Sequence, residues 1–192
     1  MTNSKPVISC NNVWKLFGFA PEKYLKTLSE DRSYEEIQAD GYIAGVKDVS
    51  VDVFEGEMLV IMGLSGSGKS TLLRCMSRLH DITGGTIEID DQDIMALEEK
   101  ELINLRRNKM GMVFQSFGLL PHRSVLENVA FPLEMRGQSK HDRRDRALEV
   151  IKLVGLEGRE DYFPRELSGG QQQRVGIARS LAIEPDIWFL DE

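Results

Sequence analysis

The chain has 192 residues, of which 41% are hydrophobic and 29% charged, and its formal net charge is −7. This balance is typical of a globular domain with a sizeable core, and the acidic charge argues against broad nucleic-acid binding, which depends on basic residues that neutralise phosphates. The two cysteines have no metal-ligand spacing, residues 1–20 show no signal peptide, and no run approaches the roughly 20 apolar residues of a membrane span, so we expect a soluble chain that would reach a membrane only through a partner.

The first half of the chain is predicted to combine strands with one helix and one polar insertion. Apolar patterns and turn residues predict strands at Val7–Gly18, Val46–Glu57, Met58–Met62 and Gly84–Ile94. Met58–Met62 is apolar throughout, as expected for a strand that is covered on both faces. Apolar side chains recur at helical spacing from Lys69 onward. The polar segment Phe19–Gly45 is partly helical in pattern, and we interpret it as a solvated insertion between the first two strands.

The second half is predicted to be mainly helical. The same criteria predict strands at Lys109–Gln115 and Ile187–Glu192, and helices at Leu97–Asn108, Ser124–Gly137, Lys140–Leu156 and Leu167–Pro185. Ser124 and Glu127 have the spacing of a capping box, in which each side chain accepts a hydrogen bond from the free backbone N–H of the other residue. Pro132 lies inside the same segment and predicts a break or a kink there.

One glycine-rich segment has the spacing of a phosphate-binding loop. Gly63–Thr71 reads GLSGSGKST and lies between a predicted strand and a predicted helix. Its glycines allow consecutive backbone N–H groups to point into one concavity, and the positive end of the helix adds to the attraction for phosphate. Lys69 can neutralise the β- and γ-phosphates, and Ser70 can place a hydroxyl on Mg²⁺. The alternative, a flexible Gly/Ser linker, requires neither the Lys-Ser pair nor the flanking elements.

A second segment follows the same physical logic. In Leu167–Gln171, which reads LSGGQ, the residues Ser168, Gly169 and Gly170 expose backbone N–H groups at the start of a predicted helix. An ordinary helix N-terminus is the simpler interpretation of Ser-Gly-Gly alone, but the complete pentapeptide followed by Gln-Gln-Arg favours a nucleotide contact. One chain does not normally need two phosphate sites for one nucleotide, so this segment requires a separate explanation.

Two carboxylates follow the last predicted strand. Ile187–Glu192 would carry Asp191 and Glu192 to the carboxyl edge of the sheet, where α/β proteins bind their ligands. There Asp191 can hold Mg²⁺ through water, and Glu192 can polarise an attacking water. Apolar strands that end in acids are common, so this signal becomes specific only beside the phosphate-binding loop.

In their order along the chain, four segments resemble the nucleotide-binding subunit of an ABC transporter. These segments are Gly63–Thr71, Gln115, Leu167–Gln171 and Ile187–Glu192. Within that family the chain is most similar to the ATPases of glycine betaine/proline (quaternary amine) importers. Three features support this narrower resemblance, namely Leu64 after the first loop glycine, the segment Phe117–Val129 and the insertion Phe19–Gly45.

The resemblance implies ATP and Mg²⁺ as cofactors and assigns roles by position. Gln115 and Glu192 would be catalytic, and the metal would be held by Ser70, Gln115 and Asp191. Phe17 would stack on adenine, although it could also be an ordinary half-buried aromatic residue of a strand. The residues expected to contact nucleotide are Phe17, Gly63, Ser65, Gly66, Gly68, Lys69, Ser70, Thr71, Ser168, Gly169, Gly170 and Gln171. The LSGGQ residues would contact ATP that is bound to a second copy, in a head-to-tail dimer.

The resemblance also implies a fold, partners and a location. The fold would be an α/β P-loop NTPase in one ABC ATPase domain spanning 1–192, with a mainly parallel sheet, an antiparallel β subdomain and a helical subdomain at 117–166. The partners would be a second copy of the chain, a transmembrane permease and, indirectly, an extracytoplasmic substrate-binding protein, with no nucleic acid. The chain would lie peripherally on the cytoplasmic face of the cell membrane, with the insertion 19–45 near the adenine side of the nucleotide.

The chain departs from the family pattern at its C-terminus. The family continues with a Ser-x-Leu-Asp loop and a switch histidine, and related ATPases often carry two CBS modules, whereas this chain stops at Glu192. We therefore expect a C-terminally truncated domain, which alone folds poorly and hydrolyses ATP weakly or not at all.

Three alternatives to a transport ATPase are compatible with parts of the sequence. A soluble ABC ATPase of DNA repair or translation would usually carry coiled-coil insertions or tandem domains, which this chain lacks. A non-catalytic module would bind nucleotide without turning it over. A small-molecule kinase would leave LSGGQ unexplained. Betaine, choline, carnitine and proline are all candidate substrates of an importer of this kind.

Overall fold

The computed structural model of the protein describes residues 5–29 and 31–191. The chain divides into two compact units, residues 1–99 and 100–192. The first unit contains the elements β1 (Ile8–Phe17), α1 (Pro21–Leu25), α2 (Tyr34–Ala39), β2 (Ile43–Val53), α3 (Lys69–Met76), β3 (Gly84–Ile89) and β4 (Gln92–Asp93). The second contains α4 (Glu99–Lys109), β5 (Met110–Val113), α5 (Val125–Met135), α6 (Lys140–Leu153), a 3₁₀ turn (Pro164–Glu166), α7 (Gly169–Leu181) and β6 (Ile187–Leu190).

The first unit is built on an antiparallel sheet with the strand order β2-β1-β3-β4. Cys10 of β1 pairs with Val51 on one side and with Ile87 on the other, and the register shifts at several points between β1 and β2. Cys10 and Ile87 are buried because alternate side chains of each strand face the same side of the sheet. This sheet is the antiparallel β subdomain that the sequence predicted.

The insertion between β1 and β2 is helical, as predicted, but it is not simply solvated. Helix α2 begins with a capping box between Ser33 and Glu36, which fixes its start by local hydrogen bonds. Ile37 of this helix is completely buried in a small cluster with Trp14 and Leu16 of β1. The insertion therefore covers one part of the sheet through Ile37, while its other described residues are exposed or half-buried, in agreement with a largely solvated segment.

The predicted strand Met58–Met62 does not form. The segment has no regular secondary structure, and Met58 and Met62 are both 86% exposed. Its residues from Leu59 onward line an open cavity of about 380 Å³ together with residues of β2. They form no ladder of backbone hydrogen bonds with β2. An apolar run becomes a strand only when a neighbouring strand satisfies its backbone groups, and no described strand pairs with this one. The described part of the parallel sheet is consequently smaller than predicted.

The second unit combines a two-stranded parallel sheet with four helices. Strands β5 and β6 pair in parallel from Met110↔Ile187 to Val113↔Leu190. Helices α5, α6 and α7 share an apolar core, which includes the buried residues Val125, Leu126, Val129, Leu133, Ala147, Val150, Ile151, Leu156, Leu167, Val175, Ala178 and Ala182. None of the described helices is long and apolar enough to cross a membrane.

Of the break or kink predicted at Pro132, a break does not occur, because helix α5 continues through this residue. The helix begins at Ser124, whose side chain forms the predicted capping box with Glu127. Val129 and Leu133 are buried on either side of the proline, and the backbone N–H of Arg136 still bonds the Pro132 carbonyl at 3.1 Å. Proline removes only its own donor, and packing on both sides holds the helix in one piece.

Candidate functional site

The phosphate-binding loop of the first unit is shaped by two glycines with left-handed backbone angles. Gly66 has φ +80° and Gly68 has φ +91°, a region that residues with a side chain rarely adopt. Gly68 precedes the first residue of α3, and no side chain caps this helix. The first N–H groups of a helix have no partner within the helix, so they are available to an anion.

Lys69 lies across the same loop. Its ammonium group donates to the carbonyl oxygens of Gly63 at 2.9 Å and Leu64 at 2.7 Å. Loop carbonyls therefore hold the ammonium beside the concavity, where a phosphate oxygen could replace one of them. Ser70 and Thr71 follow in the first turn of α3, half-buried, whereas Ser65 is exposed in the loop.

The proposed adenine contact, Phe17, is the last residue of β1 and is 38% exposed. His80 meets its ring edge-on with the centroids 5.9 Å apart, and the Lys15 ammonium lies 5.0 Å from the ring centroid. Gly45 of β2 lies against the ring, because a Cβ added at Gly45 would come within 2.8 Å of Phe17 Cε2 and 2.9 Å of Thr71 Cγ2. One backbone position therefore separates the aromatic ring from the phosphate-binding loop.

The LSGGQ segment of the second unit is an exposed, self-capped helix start. The Ser168 hydroxyl accepts from the Gln171 N–H at 3.3 Å, and the Gln171 side-chain oxygen accepts from the Ser168 N–H at 2.9 Å. A Cβ added at Gly169 or Gly170 would meet nothing within 4 Å. The cap fixes the shape of the turn, while both glycines face open space that a second molecule could enter.

Gln115 and Asp191 follow the carboxyl ends of the paired strands β5 and β6. Gln115 is exposed in the turn after β5, and Asp191, only 2% exposed, comes directly after β6. The pairing brings both residues to the same sheet edge, as expected for adjacent parallel strands. Glu192, the predicted catalytic base, lies outside the described residues.

The predicted metal ligands have suitable chemistry for Mg²⁺. A hydroxyl, an amide oxygen and a carboxylate are hard oxygen donors, and Mg²⁺ is usually held by one or two such groups together with substrate phosphates and water. The chain between residues 5 and 191, apart from residue 30, contains no group of three or more His, Cys, Asp or Glu that could hold a metal without such help. This donor set is therefore consistent with a metal that arrives with a nucleotide.

Two residues near these segments were not singled out from the sequence. Gly45 lies between Phe17 and the loop, and only its close contacts distinguish it from any other strand glycine. Arg179 of α7 donates to the carbonyls of Gly118 at 2.6 Å and Phe117 at 3.0 Å, which shortly follow Gln115. Burial lowers the pKa of the Arg179 guanidinium. The sequence signal for Arg179 was a charged residue that directly follows an apolar position, Ala178, of the predicted helix Leu167–Pro185.

The family model described as ABC transporter matches residues 46–192 of the chain. The chain is 80% identical over 187 residues to the trimethylamine N-oxide transport system ATP-binding protein TmoW of Ruegeria pomeroyi, covering 97% of this chain and 55% of that protein. It is 47% identical over 186 residues to the glycine betaine/proline betaine transport system ATP-binding protein ProV of Escherichia coli, covering 96% and 46%. The chain thus spans about half the length of these curated relatives.

A solved structure supports the same assignment at the level of the fold. The dimeric post-hydrolysis structure of the ATP-binding cassette MJ0796 bound to ADP and Pi aligns with a TM-score of 0.80 and 39% identity, covering 96% of this chain and 73% of that one. Its fold is an ABC ATPase cassette, which agrees with the predicted fold class. The family match over most of the chain and the shared fold establish that the chain belongs to the ABC transporter family.

Proposed function

We propose that the chain is the ATP-hydrolysing part of an importer for small amines with a trimethylated nitrogen. The observation that carries this proposal is the phosphate-binding loop, in which Gly66 and Gly68 open the backbone, α3 begins without a side-chain cap, and Lys69 lies across the mouth. A flexible linker requires none of these three features.

Nucleotide binding would use the first unit. The phosphates would take up the N–H groups at the start of α3, and Lys69 would exchange a carbonyl partner for a phosphate oxygen. The Phe17 ring would offer a stacking surface to the base. Ser65, Gly63 and Thr71 would complete the loop around the phosphates, and Ser70 would supply a hydroxyl to the metal.

Hydrolysis would use the strand ends of the second unit. Mg²⁺, when bound, would neutralise charge that develops on the phosphate oxygens. Asp191 and Gln115 would hold the metal shell from one sheet edge, and Glu192 would accept hydrogen bonds from the attacking water. The buried position of Asp191 would limit competition from bulk water and fix the direction of its carboxylate.

The LSGGQ segment would contact ATP bound to a second copy of the chain. The open space around Gly169 and Gly170 supports this role, because another protomer's phosphates could approach the backbone there without displacing a side chain. The MJ0796 cassette is likewise described as a dimer. ATP would favour the closed dimer by its additional contacts, and loss of phosphate would release it. A permease held at the cytoplasmic face of the membrane would follow this cycle.

Two relatives support a shorter list of candidate substrates for the importer. A relative named for trimethylamine N-oxide is 80% identical to the chain, whereas one named for glycine betaine and proline betaine is 47% identical. We therefore propose trimethylamine N-oxide as the first candidate and glycine betaine as the second. Both carry a methylated, positively charged nitrogen, which the external binding protein and the permease would select.

Uptake in a strain that lacks the gene tests this proposal. The full-length gene or its Lys69→Ala variant is returned, and uptake of labelled trimethylamine N-oxide and glycine betaine is followed. We expect the wild-type gene alone to restore uptake of trimethylamine N-oxide, with less effect on glycine betaine. Restoration of neither compound would contradict an importer of this class, and equal restoration by Lys69→Ala would show that uptake does not depend on this ATP site.

A further inference from the structure

Gly45 is enclosed by the two parts of the proposed nucleotide site. On its Cα side, an added Cβ would be 2.8 Å from Phe17 Cε2 and 2.9 Å from Thr71 Cγ2, closer than real Cβ contacts. On its carbonyl side, a Cβ added at Gly68 would lie 2.0 Å from the Gly45 oxygen. Gly45 thus contacts the Phe17 ring, Thr71 in the first turn of α3, and Gly68, which directly precedes α3.

Gly45 is required for its small size and not for an unusual backbone. It lies within β2, and it is not among the residues with left-handed backbone angles. Alanine would therefore fit the backbone conformation, and its cost would come from the displacement of Phe17, Thr71 or both.

The Phe17 ring is 38% exposed and has two close neighbours besides Gly45. His80 meets it edge-on at 5.9 Å, and the Lys15 ammonium lies 5.0 Å from its centroid. Lys15 is itself held by a 2.7 Å hydrogen bond to the Asp81 carbonyl. A methyl group at position 45 would displace the ring, change its contacts with these neighbours and alter its tilt relative to the loop.

We propose that Gly45 is a positioning residue that sets the separation between the Phe17 ring and the phosphate-binding loop, and thereby adapts the site to a nucleoside triphosphate. This inference rests on the proposed nucleotide function. If the ring shifts, its contact with the base weakens while the phosphates still meet Lys69 and the start of α3. A substitution at Gly45 should therefore affect ligands that have a base and spare ligands that have only phosphates.

The test compares ATP with tripolyphosphate, which has phosphates but no base, on the full-length protein. Dissociation constants are measured by competition with a fluorescent ATP analogue for wild type and Gly45→Ala. We expect Gly45→Ala to weaken ATP binding roughly 5- to 160-fold, the range that loss of one aromatic–base stack produces, and to change tripolyphosphate binding less than about 2-fold. Equal weakening of both ligands would overturn the proposal.

A double-mutant cycle identifies the partner. In the Phe17→Ala background the ring is absent, so Gly45→Ala should weaken ATP binding by less than about 2-fold. An undiminished effect in that background would contradict the proposed route through Phe17. If Gly45→Ala does not fold, Gly45→Ala combined with Thr71→Ser removes the contact with Thr71 Cγ2, and the same comparison is made with Thr71→Ser as reference.

Gly84→Ala is the matched control. Gly84 lies in the same sheet, and a Cβ there would meet Leu25 Cδ2 of the insertion at 2.5 Å. We expect this variant to lose some stability but to bind ATP like wild type. If wild type binds ATP and Gly45→Ala binds it equally well, only the role of Gly45 fails. If wild type binds neither ATP nor tripolyphosphate, the proposed nucleotide function fails with it.

Discussion

The backbone N–H of Asp191 donates to the carbonyl oxygen of Val113 at 2.9 Å, one step beyond the Val113↔Leu190 pair of the β5–β6 ladder. This bond extends the parallel pairing past the end of β6 and fixes Asp191 beside the strand that leads to Gln115. Two oxygen-bearing side chains from distant parts of the sequence are therefore attached to one sheet edge. The backbone bond does not depend on the side chain at position 191, which makes the carboxylate separately testable.

Asp191→Asn removes the charge and keeps the shape. We expect the variant to bind ATP like wild type in EDTA, and to lose at least about 10-fold of the affinity that Mg²⁺ adds, because a charge-assisted contact contributes about 1.5–3 kcal/mol. Nucleotide titrations with and without Mg²⁺ measure this. Asp186→Asn, an exposed position before β6, is the control and should retain the Mg²⁺ effect. An unchanged Mg²⁺ effect in Asp191→Asn would exclude Asp191 from the metal site.

Ser168 and Ser124 begin α7 and α5 with the same kind of capping box. Alanine at either position should lower the free energy of unfolding by about 1 kcal/mol, since it leaves a helix N–H without its partner. Only Ser168→Ala should reduce ATP turnover, by at least about 10-fold, because only this serine is proposed to contact nucleotide. Urea unfolding and steady-state ATPase assays give the two readouts. Equal turnover of the two variants would indicate that Ser168 is merely a cap.

Arg179 and Arg174 both extend from α7 to two consecutive carbonyls. Arg179 is half-buried and contacts Phe117 and Gly118, whereas Arg174 is exposed and bonds Val154 at 3.2 Å and Gly155 at 3.1 Å. We expect Arg179→Met to lower the free energy of unfolding by about 1–3 kcal/mol and Arg174→Met by about 0.5 kcal/mol, because the Arg179 bond to Phe117 is partly buried whereas both bonds of Arg174 are exposed. Comparable urea midpoints for the two variants would contradict this difference.

The two buried thiols of the first unit are expected to make the free energy of unfolding depend on pH in the alkaline range. Burial raises the pKa of Cys10 to about 12 and that of Cys75 to about 11. An unfolded thiol ionises near pH 8.5, so the stabilising contribution is complete below that value and is lost as pH rises toward 11–12. We expect the free energy of unfolding to fall more steeply between about pH 9 and 11 in wild type than in Cys10→Ala/Cys75→Ala. Parallel curves would show that the thiols do not contribute.

Features that depend on neighbouring residues could be predicted from the sequence. The capping box of α5 follows from Ser124 and Glu127 alone, and the start of α3 follows from the glycine spacing before Lys69. The positions of Gln115 and Asp191 just after two strands were also predictable, because apolar runs before each residue mark β5 and β6, although β5 ends at Val113 and not at Gln115 as predicted. These interactions span a few residues, so the local pattern contains the information.

Features that depend on distant partners could not be predicted in this way. Met58–Met62 has the composition of a buried strand, yet its state depends on whether another strand pairs with it. Pro132 would end an isolated helix, but the core around Val129 and Leu133 holds α5 together. The role of Gly45 depends on the packing of β2 against Phe17 and Thr71, which lie 28 and 26 positions away along the chain.

In the proposed function, the loop Gly63–Thr71 binds the phosphates of ATP through Lys69. Calorimetric titration of full-length wild type and Lys69→Ala with Mg-ATP tests it most directly, with circular dichroism to verify that both are folded. We expect saturable binding of one ATP per chain by wild type, and affinity reduced at least about 10-fold in Lys69→Ala, since the variant loses a charge-assisted contact. Equal affinity of the two folded proteins would contradict the phosphate site and the ATP-driven function built on it.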